Sequence, residues 1–273
     1  MSEGSPSGTG GRVESLRSGT ETAARVADVL LLFTRGPAAV GVSEIARQLG
    51  LSKAVVHRIL QSLASRGFVQ VDPVTRAYRL GPAAVAVGVR ALRDHDLRRA
   101  ARDVLRRLRD VTRETTTLSE LVQGSRVYLD QYESPQEIKM TVELGRPHPL
   151  YAGASGRAIL AFLPHDTAED LIAAGLDALT AETVVDAGEL RALLGRVRAE
   201  GVAVSRGERE HGAASVAAPI FGIDGEAVGS VSVCGPVWRF DGDAVARYAP
   251  LARTAADEIA RALGWDGVRP DRP

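Results

Sequence analysis

The chain has 273 residues, with 34 Lys+Arg against 34 Asp+Glu, 45% apolar residues and a single cysteine. That is the composition of an ordinary globular protein long enough for two domains, and it excludes a fibre or a disordered chain. No apolar run approaches bilayer length and the N-terminus MSEGSPSGTGG lacks the apolar region of a secretory signal, so a cytoplasmic protein with no membrane partner is expected. Cys234 has no second cysteine to pair with, and no Cys/His cluster has structural-zinc spacing, so neither a disulfide, a metal nor a cofactor is implied.

The neutral total conceals two halves. Residues 1–110 carry 18 Lys+Arg against 10 Asp+Glu, a net of +8, while residues 111–273 carry 16 against 24, a net of −8. A basic half joined to an acidic half suits a domain that meets a polyanion, linked to one with another task.

Residues 1–18 form a Gly/Ser-rich arm expected to be disordered. A first helix is predicted over residues 19–34, with Ala23, Val26, Ala27, Leu30 and Leu31 on one side. In residues 43–49, Ile45, Ala46 and Leu49 share a helical face, Ser43 can cap the start, and Gly50 can take the left-handed conformation that stops the helix. Ser52 can cap a second helix in which Val56, Leu60 and Leu63 form the inward stripe. This leaves Lys53, Ala54, His57, Arg58 and Gln61 outside it, and residues 52–67 contain no Asp or Glu.

Two alternating runs, residues 68–72 and 77–80, flank the turn Asp72-Pro73-Val74-Thr75 and read as a hairpin. Helix, turn, helix and hairpin together are the pattern of a winged helix-turn-helix, here residues 19–81, and double-stranded DNA is the partner it implies. Lys53 and Arg58 suit phosphates or guanine edges, His57 and Gln61 base edges, and Ala54 a thymine methyl; Arg76 at the hairpin tip suits a phosphate or the minor groove.

Residues 82–112 read as a linker helix interrupted near Asp94-His95-Asp96. Its seam of Leu97, Ala101, Leu105 and Leu108 is expected to serve dimerisation. From residue 113 the pattern changes to strands, predicted over residues 115–122, 126–132, 138–142, 202–205, 215–221 and 227–233, with Asp224-Gly225 turning between the last two. Helices are predicted over residues 153–163, 167–174, 187–199 and 241–263. The order argues for an α+β domain over residues 113–265, built on a mostly antiparallel sheet flanked by helices, with residues 266–273 a flexible tail.

Three separated runs carry a family resemblance: residues 51–80 with Val56-His57-Arg58; Arg146-Pro147-His148-Pro149-Leu150-Tyr151-Ala152-Gly153-Ala154-Ser155-Gly156-Arg157-Ala158; and Ser215-Val216-Ala217-Ala218-Pro219-Ile220 leading to Ser230-Val231-Ser232-Val233-Cys234-Gly235-Pro236. Together, over residues 19–263, they resemble the isocitrate-lyase-regulator (IclR) family of bacterial transcription factors. The resemblance implies a GAF-like effector domain and a homodimer or dimer of dimers on a pseudo-palindromic operator, acting as repressor or activator. It adds Ser52 and Val55 to the DNA-facing set, and it places a small-molecule effector against Ala154, Ser155, Ser205, Ser215, Ser232 and Cys234.

The residues support such a pocket. Ser155 falls at a helix N-terminus, where unpaired N–H groups favour a carboxylate, and Ser232 and Cys234 are two apart in a strand, so they face the same way. The chain departs from the family pattern in having Ser205 where an acid is common, Cys234 where a serine is common and Val55 where Ser or Thr is common. A less acidic pocket favours a carboxylate on an apolar or aromatic body, and Val55 replaces one polar base contact with an apolar one. A ligand-independent DNA binder, whose second domain only oligomerises, is the alternative. A hydrolase using Cys234 with His148 or His211, or using Ser155, is weighed as well, but no nucleophile elbow or ordered triad surrounds either residue, so no catalytic residue is expected.

Overall fold

A computed structural model of the chain describes residues 20–93 and 95–269, which form two compact units meeting in sequence at Arg90/Ala91. The expected arm, residues 1–18, lies outside the described residues.

The first unit contains α1 (Glu21–Leu32), α2 (Val42–Leu49), α3 (Lys53–Ala64) and the hairpin β1 (Val69–Val71) and β2 (Tyr78–Leu80). Val29, Ile45, Val56, Leu60 and Val69, all at most 1% exposed, form its core. α2 begins two residues earlier than the Ser43 cap supposes. Gly41 is its N-cap, with no side-chain cap, and the Gly41 carbonyl accepts the N–H groups of Glu44 and Ile45, each at 3.1 Å. The cause lies next door: Val40 donates to Tyr78 O (2.8 Å) and accepts from Tyr78 N (2.9 Å), so the chain enters α2 pinned to the wing. At the other end Gly50, at φ +64°, stops the helix in the left-handed conformation.

α4 (Pro82–Arg93) carries the chain from the first unit into the second, which continues with α5 (Asp96–Thr112), β3 (Thr115–Val122), β4 (Ser125–Tyr132), β5 (Pro147–His148), α6 (Ala154–Leu160), α7 (His165–Ala173), α8 (Ala187–Glu200), β6 (Ala203–Arg206), β7 (Ala213–Phe221), β8 (Ala227–Pro236) and α9 (Gly242–Ala262). The six strands make one antiparallel sheet in the order β5-β4-β3-β8-β7-β6.

Register separates the sheet into two unlike faces. Leu118, Val216, Ala218, Ile220, Val231 and Val233, all fully buried, face α5 and α9. On the opposite face Ser205 is paired with Ser215, Ser215 with Cys234 and Cys234 with Thr115; two residues on, Ser232 lies between Thr117 and Ala217. This second face carries hydroxyls and a thiol instead of branched hydrocarbons.

Two expectations are corrected. Residues 138–142 are not a strand: Gln131 uses its side-chain amide to pair both backbone groups of Val142 (3.0 and 2.9 Å), and Thr115 Oγ1 donates to Met140 O (2.7 Å), so side chains take the place of a ladder. The seam Leu97, Ala101, Leu105 and Leu108 is not free to dimerise. It is buried in its own unit's core, with Thr116 Oγ1 donating to Leu105 O (2.9 Å), and the exposed valines of the connecting region, Val85, Val87 and Val89, lie on α4. In the segment expected to be a flexible tail, Trp265 Nε1 donates to Val268 O (3.1 Å) and Arg269 pairs with Asp257 (3.5 Å); residues 270–273 lie outside the described residues.

α6 covers the hydroxyl face, where Ser230 Oγ donates to Ser155 O at 3.0 Å. Its approach depends on Gly156, at which a Cβ would stand 2.4 Å from Leu150 O and 2.8 Å from Leu150 C, both backbone atoms unable to yield. Gly156→Ala is expected to destabilise the second unit by about 1–3 kcal/mol, as overpacking does, measured by denaturant unfolding. Unchanged stability would show that α6 can retreat freely.

Candidate DNA-facing surface and ligand cavity

α3 begins where Ser52 Oγ accepts the Val55 N–H at 3.3 Å. Val56, Ile59, Leu60 and Leu63 face the core, so Lys53, Ala54, His57, Arg58 and Gln61 are exposed. Val55 is half-buried against the core on the flank beside α1, where it lines a groove with Val26 and Ile59; it is displaced from the outward face that the family pattern suggests.

Charge pairing distinguishes this face from its neighbours. On α1 Arg25 pairs with Glu21, and on α2 Arg47 grips Glu44 through Nε (2.9 Å) and Nη2, which holds the Glu44 carboxyl down at about 2 with help from Gln48. Lys53, Arg58 and, on the hairpin, Arg76 have no ion pair among the described residues. In the hairpin, Asp72 Oδ1 accepts the N–H groups of Val74 (2.9 Å) and Thr75 (2.7 Å), and Arg76 closes the turn at φ +58°, exposed at the tip. Unpaired cations thus stand on the second helix and the wing, where a duplex would supply phosphates.

In the second unit, Ala154, Ser155, Ser205, Ser215, Ser232 and Cys234, spread over 80 residues of sequence, line a single cavity between α6 and the hydroxyl face. Met140, Thr141 and Val142 close it from the segment that Gln131 and Thr115 hold. The room open to water centres is about 30 Å³, enough for a water or two, so a ligand must be compact or must move that segment. Some of the polar capacity is already engaged. Ser232 Oγ lies 2.7 Å from Thr117 Oγ1, and the N-terminal end of α6 faces a carboxylate of the protein's own, with Gly153 N–H donating to Glu208 Oε2 (3.4 Å).

Glu208 also grips Arg157, through Nη2 to Oε1 at 2.7 Å and Nη1 to Oε2, while Arg157 Nη2 reaches Val204 O at 2.5 Å. A buried ion pair satisfied in this way ties α6 to β6 and to the turn after it.

The cavity also contains residues that the sequence reading missed: Arg126, Tyr128 and Arg209. Arg126 is 1% exposed, with its guanidinium carbon 4.5 Å from the Tyr128 ring centroid; Arg209 stands 5.8 Å from the same ring. Their signal was the alternation of β4, in which Arg126 and Tyr128 take the buried positions and Val127 and Leu129 the half-buried ones, the reverse of what hydropathy suggests.

His148 stacks edge-on against Tyr128, with centroids 5.5 Å apart. Burial first, then the charges of Arg126, Arg209 and Arg146, push its imidazole down to about 3, while burial pushes the Cys234 thiol up to about 12. Both directions oppose a thiolate–imidazolium pair. His211 is exposed and lies 3.6 Å from Glu182.

The His148 shift sets a stability slope. Between about 6.5 and about 3 the unfolded chain binds a proton at this residue that the native chain does not, so stability falls as pH is lowered through that window. His148→Gln is expected to flatten the fall between pH 6.5 and 4 in thermal melts; an unchanged slope would assign the loss to other groups.

No group of three or more His, Cys, Asp or Glu that could hold a metal occurs among the described residues, and no helix there is long and apolar enough to cross a membrane.

A winged helix-turn-helix with unpaired cations, joined to an α+β domain closed around a small cavity, defines a class: a transcriptional regulator with a DNA-binding domain and an effector domain. The comparisons make this specific. Residues 22–73 match the IclR helix-turn-helix domain, residues 89–261 match the bacterial transcriptional regulator IclR C-terminal domain, and the chain belongs to the IclR family. It is 29% identical over 228 residues to the transcriptional regulator KdgR of Escherichia coli, covering 83% of this chain and 86% of that one. It is 34% identical over 206 residues to the glycerol operon regulatory protein of Streptomyces griseus, covering 76% and 81%. Among solved structures it resembles an IclR regulator from a Silicibacter species (TM-score 0.82, 32% identity, 92% and 98% covered). It also resembles an IclR homologue from Microbacterium hydrocarbonoxydans complexed with 4-hydroxybenzoate (TM-score 0.71, 25% identity, 89% and 99% covered).

Proposed function

We propose that this regulator reads a pseudo-palindromic operator and changes its affinity for it when a small organic acid occupies the cavity of its second unit. The observation that carries the reading is the convergence of Ala154, Ser155, Ser205, Ser215, Ser232 and Cys234 on one cavity, in a chain whose other unit presents cations without counter-charges. Lys53, His57, Arg58 and Gln61 enter the major groove with Ala54 beside them, Ser52 donates its hydroxyl hydrogen to a phosphate, and Arg76 of the wing meets phosphate or the minor groove. Two recognition helices are needed for two half-sites, so the working unit is a homodimer or a dimer of dimers, acting in the cytoplasm where the DNA lies.

The 4-hydroxybenzoate bound by the Microbacterium homologue supports an acid on an aromatic or apolar body, as does the mixture of hydroxyls with Ala154, Ala214, Met140 and Val142 around this cavity. The acid acts by binding one of two arrangements of the dimer better than the other.

Mapping the protein's genomic sites supplies the operator and, through the adjacent genes, the candidate acid. On that duplex Arg58→Ala is expected to cost about 1–3 kcal/mol of binding in fluorescence anisotropy, with assembly and ligand response intact, whereas Ser232→Phe spares DNA binding and removes the ligand response. Near-wild-type affinity of Arg58→Ala, or a full response in Ser232→Phe, would overturn the corresponding half of the reading.

A further inference from the structure

The second unit buries two arginines to about 1% exposure, and it treats them differently. Arg157 meets the Glu208 carboxylate and the Val204 carbonyl through its two terminal nitrogens, although its Nε has no hydrogen-bond partner among the described residues. Arg126 has no ion pair among the described residues: its Nε and Nη1 have no hydrogen-bond partner, and the charged neighbour acting on it is another cation, Arg209. Its compensation comes from groups that carry no charge at neutral pH: the face and side chain of Tyr128 and, to a lesser degree, Cys234. Removing a guanidinium from water without a counter-charge is costly, and where Arg157 has Glu208, Arg126 has no carboxylate among the described residues. The vacancy is not in a solid core, because Arg126 lines the cavity together with Ser155, Ser205 and Ser232.

Resting on the sensor reading above, we propose that Arg126 is the residue that selects the effector: it is the anchor for a carboxylate, and the cavity takes carboxylic acids in their ionised form in preference to neutral molecules of the same shape. Nε and Nη1 lie on different edges of the guanidinium, so a carboxylate meets a vacant donor on either approach, and charge-assisted hydrogen bonds replace the missing partner. Arg209, at the same end of the cavity, is paired with Glu210 (3.4 Å), which also lines the cavity, so Arg126 is the cation there with no carboxylate among the described residues; His148, neutral above its depressed titration, adds no competing charge at neutral pH. The ligand-free protein thus bears a buried charge whose partner arrives only with the ligand. Selectivity against a neutral analogue follows from the same fact, since such an analogue leaves the guanidinium unmatched.

The test uses the full chain and pairs each acid with its primary amide: acetate, pyruvate, succinate, benzoate and 4-hydroxybenzoate, in thermal shift and then calorimetry. At least one acid is expected to raise the melting temperature of the wild type, with its amide binding at least about tenfold more weakly. Arg126→Met, which keeps the volume and removes the charge, is expected to lose that acid's effect while the ligand-free protein melts no lower than wild type. Arg126→Lys is expected to retain part of the acid binding. An amide that binds as tightly as its acid, or an acid that stabilises Arg126→Met as it does the wild type, would overturn the anchor and leave the sensor reading standing. Silence of every acid and amide on the wild type would count against the sensor reading itself and remove the anchor with it. The acid-against-amide comparison needs no variant, so it decides the matter even if Arg126→Met fails to fold.

Discussion

The second unit depends on how closely α6 can lie over the sheet. At Gly156 the helix meets the backbone of Leu150 with no room for a Cβ, and one residue later Arg157 is tied to Glu208 and the Val204 carbonyl. A larger residue at Gly156 would lift α6, and an unpaired Glu208 would be a buried charge without a partner. With both conditions met, α6 stands over the face that carries Ser205, Ser215, Ser232 and Cys234, and the space left between them is small and lined by polar and apolar groups alike. The opposite face is packed on α5 and α9 with branched hydrocarbons. The cavity is thus a consequence of giving one sheet two unlike faces.

Charge follows a common rule in both units. Arg25, Arg47, Arg157 and Arg239 each have a carboxylate, and Glu114, itself 1% exposed, accepts two bonds from Arg239. Lys53, Arg58 and Arg76 on the first unit and Arg126 in the second have none among the described residues. In the proposed reading these four meet outside anions: phosphates for the exposed ones, and a single carboxylate for the buried one.

Local signals made much of this legible in the sequence. The turn at Gly50, the Ser52 cap, the inward stripe of α3 and the hairpin around Asp72 depend on residues within a few positions of one another, and the last two strands of the hydroxyl face are marked by the Asp224-Gly225 turn between them. What stayed hidden depends on partners distant in sequence. The 138–142 segment has a strand-like composition, yet the Gln131 and Thr115 side chains take its backbone groups. Leu97 to Leu108 form an exact apolar seam, and only the tertiary fold shows that β3 and α9 cover it instead of a second chain. Arg126 was passed over because an arginine in an alternating strand is ordinarily on the wet side; here Val127 and Leu129 are the more open positions, and the cation points inward to a site that needs it.

The central claim is that the cavity and the operator are linked, and linkage is reciprocal: an acid that changes operator affinity must have its own affinity changed by the operator in the same ratio. The most direct measurement is therefore the calorimetric Kd of the bound acid, determined once on the free protein and once on the protein saturated with its operator duplex. The account predicts that the two values differ by roughly 5- to 150-fold, matching the ratio of operator affinities with and without acid. Equal values, with the acid firmly bound in both cases, would contradict it and reduce the second unit to a ligand store unconnected with the DNA.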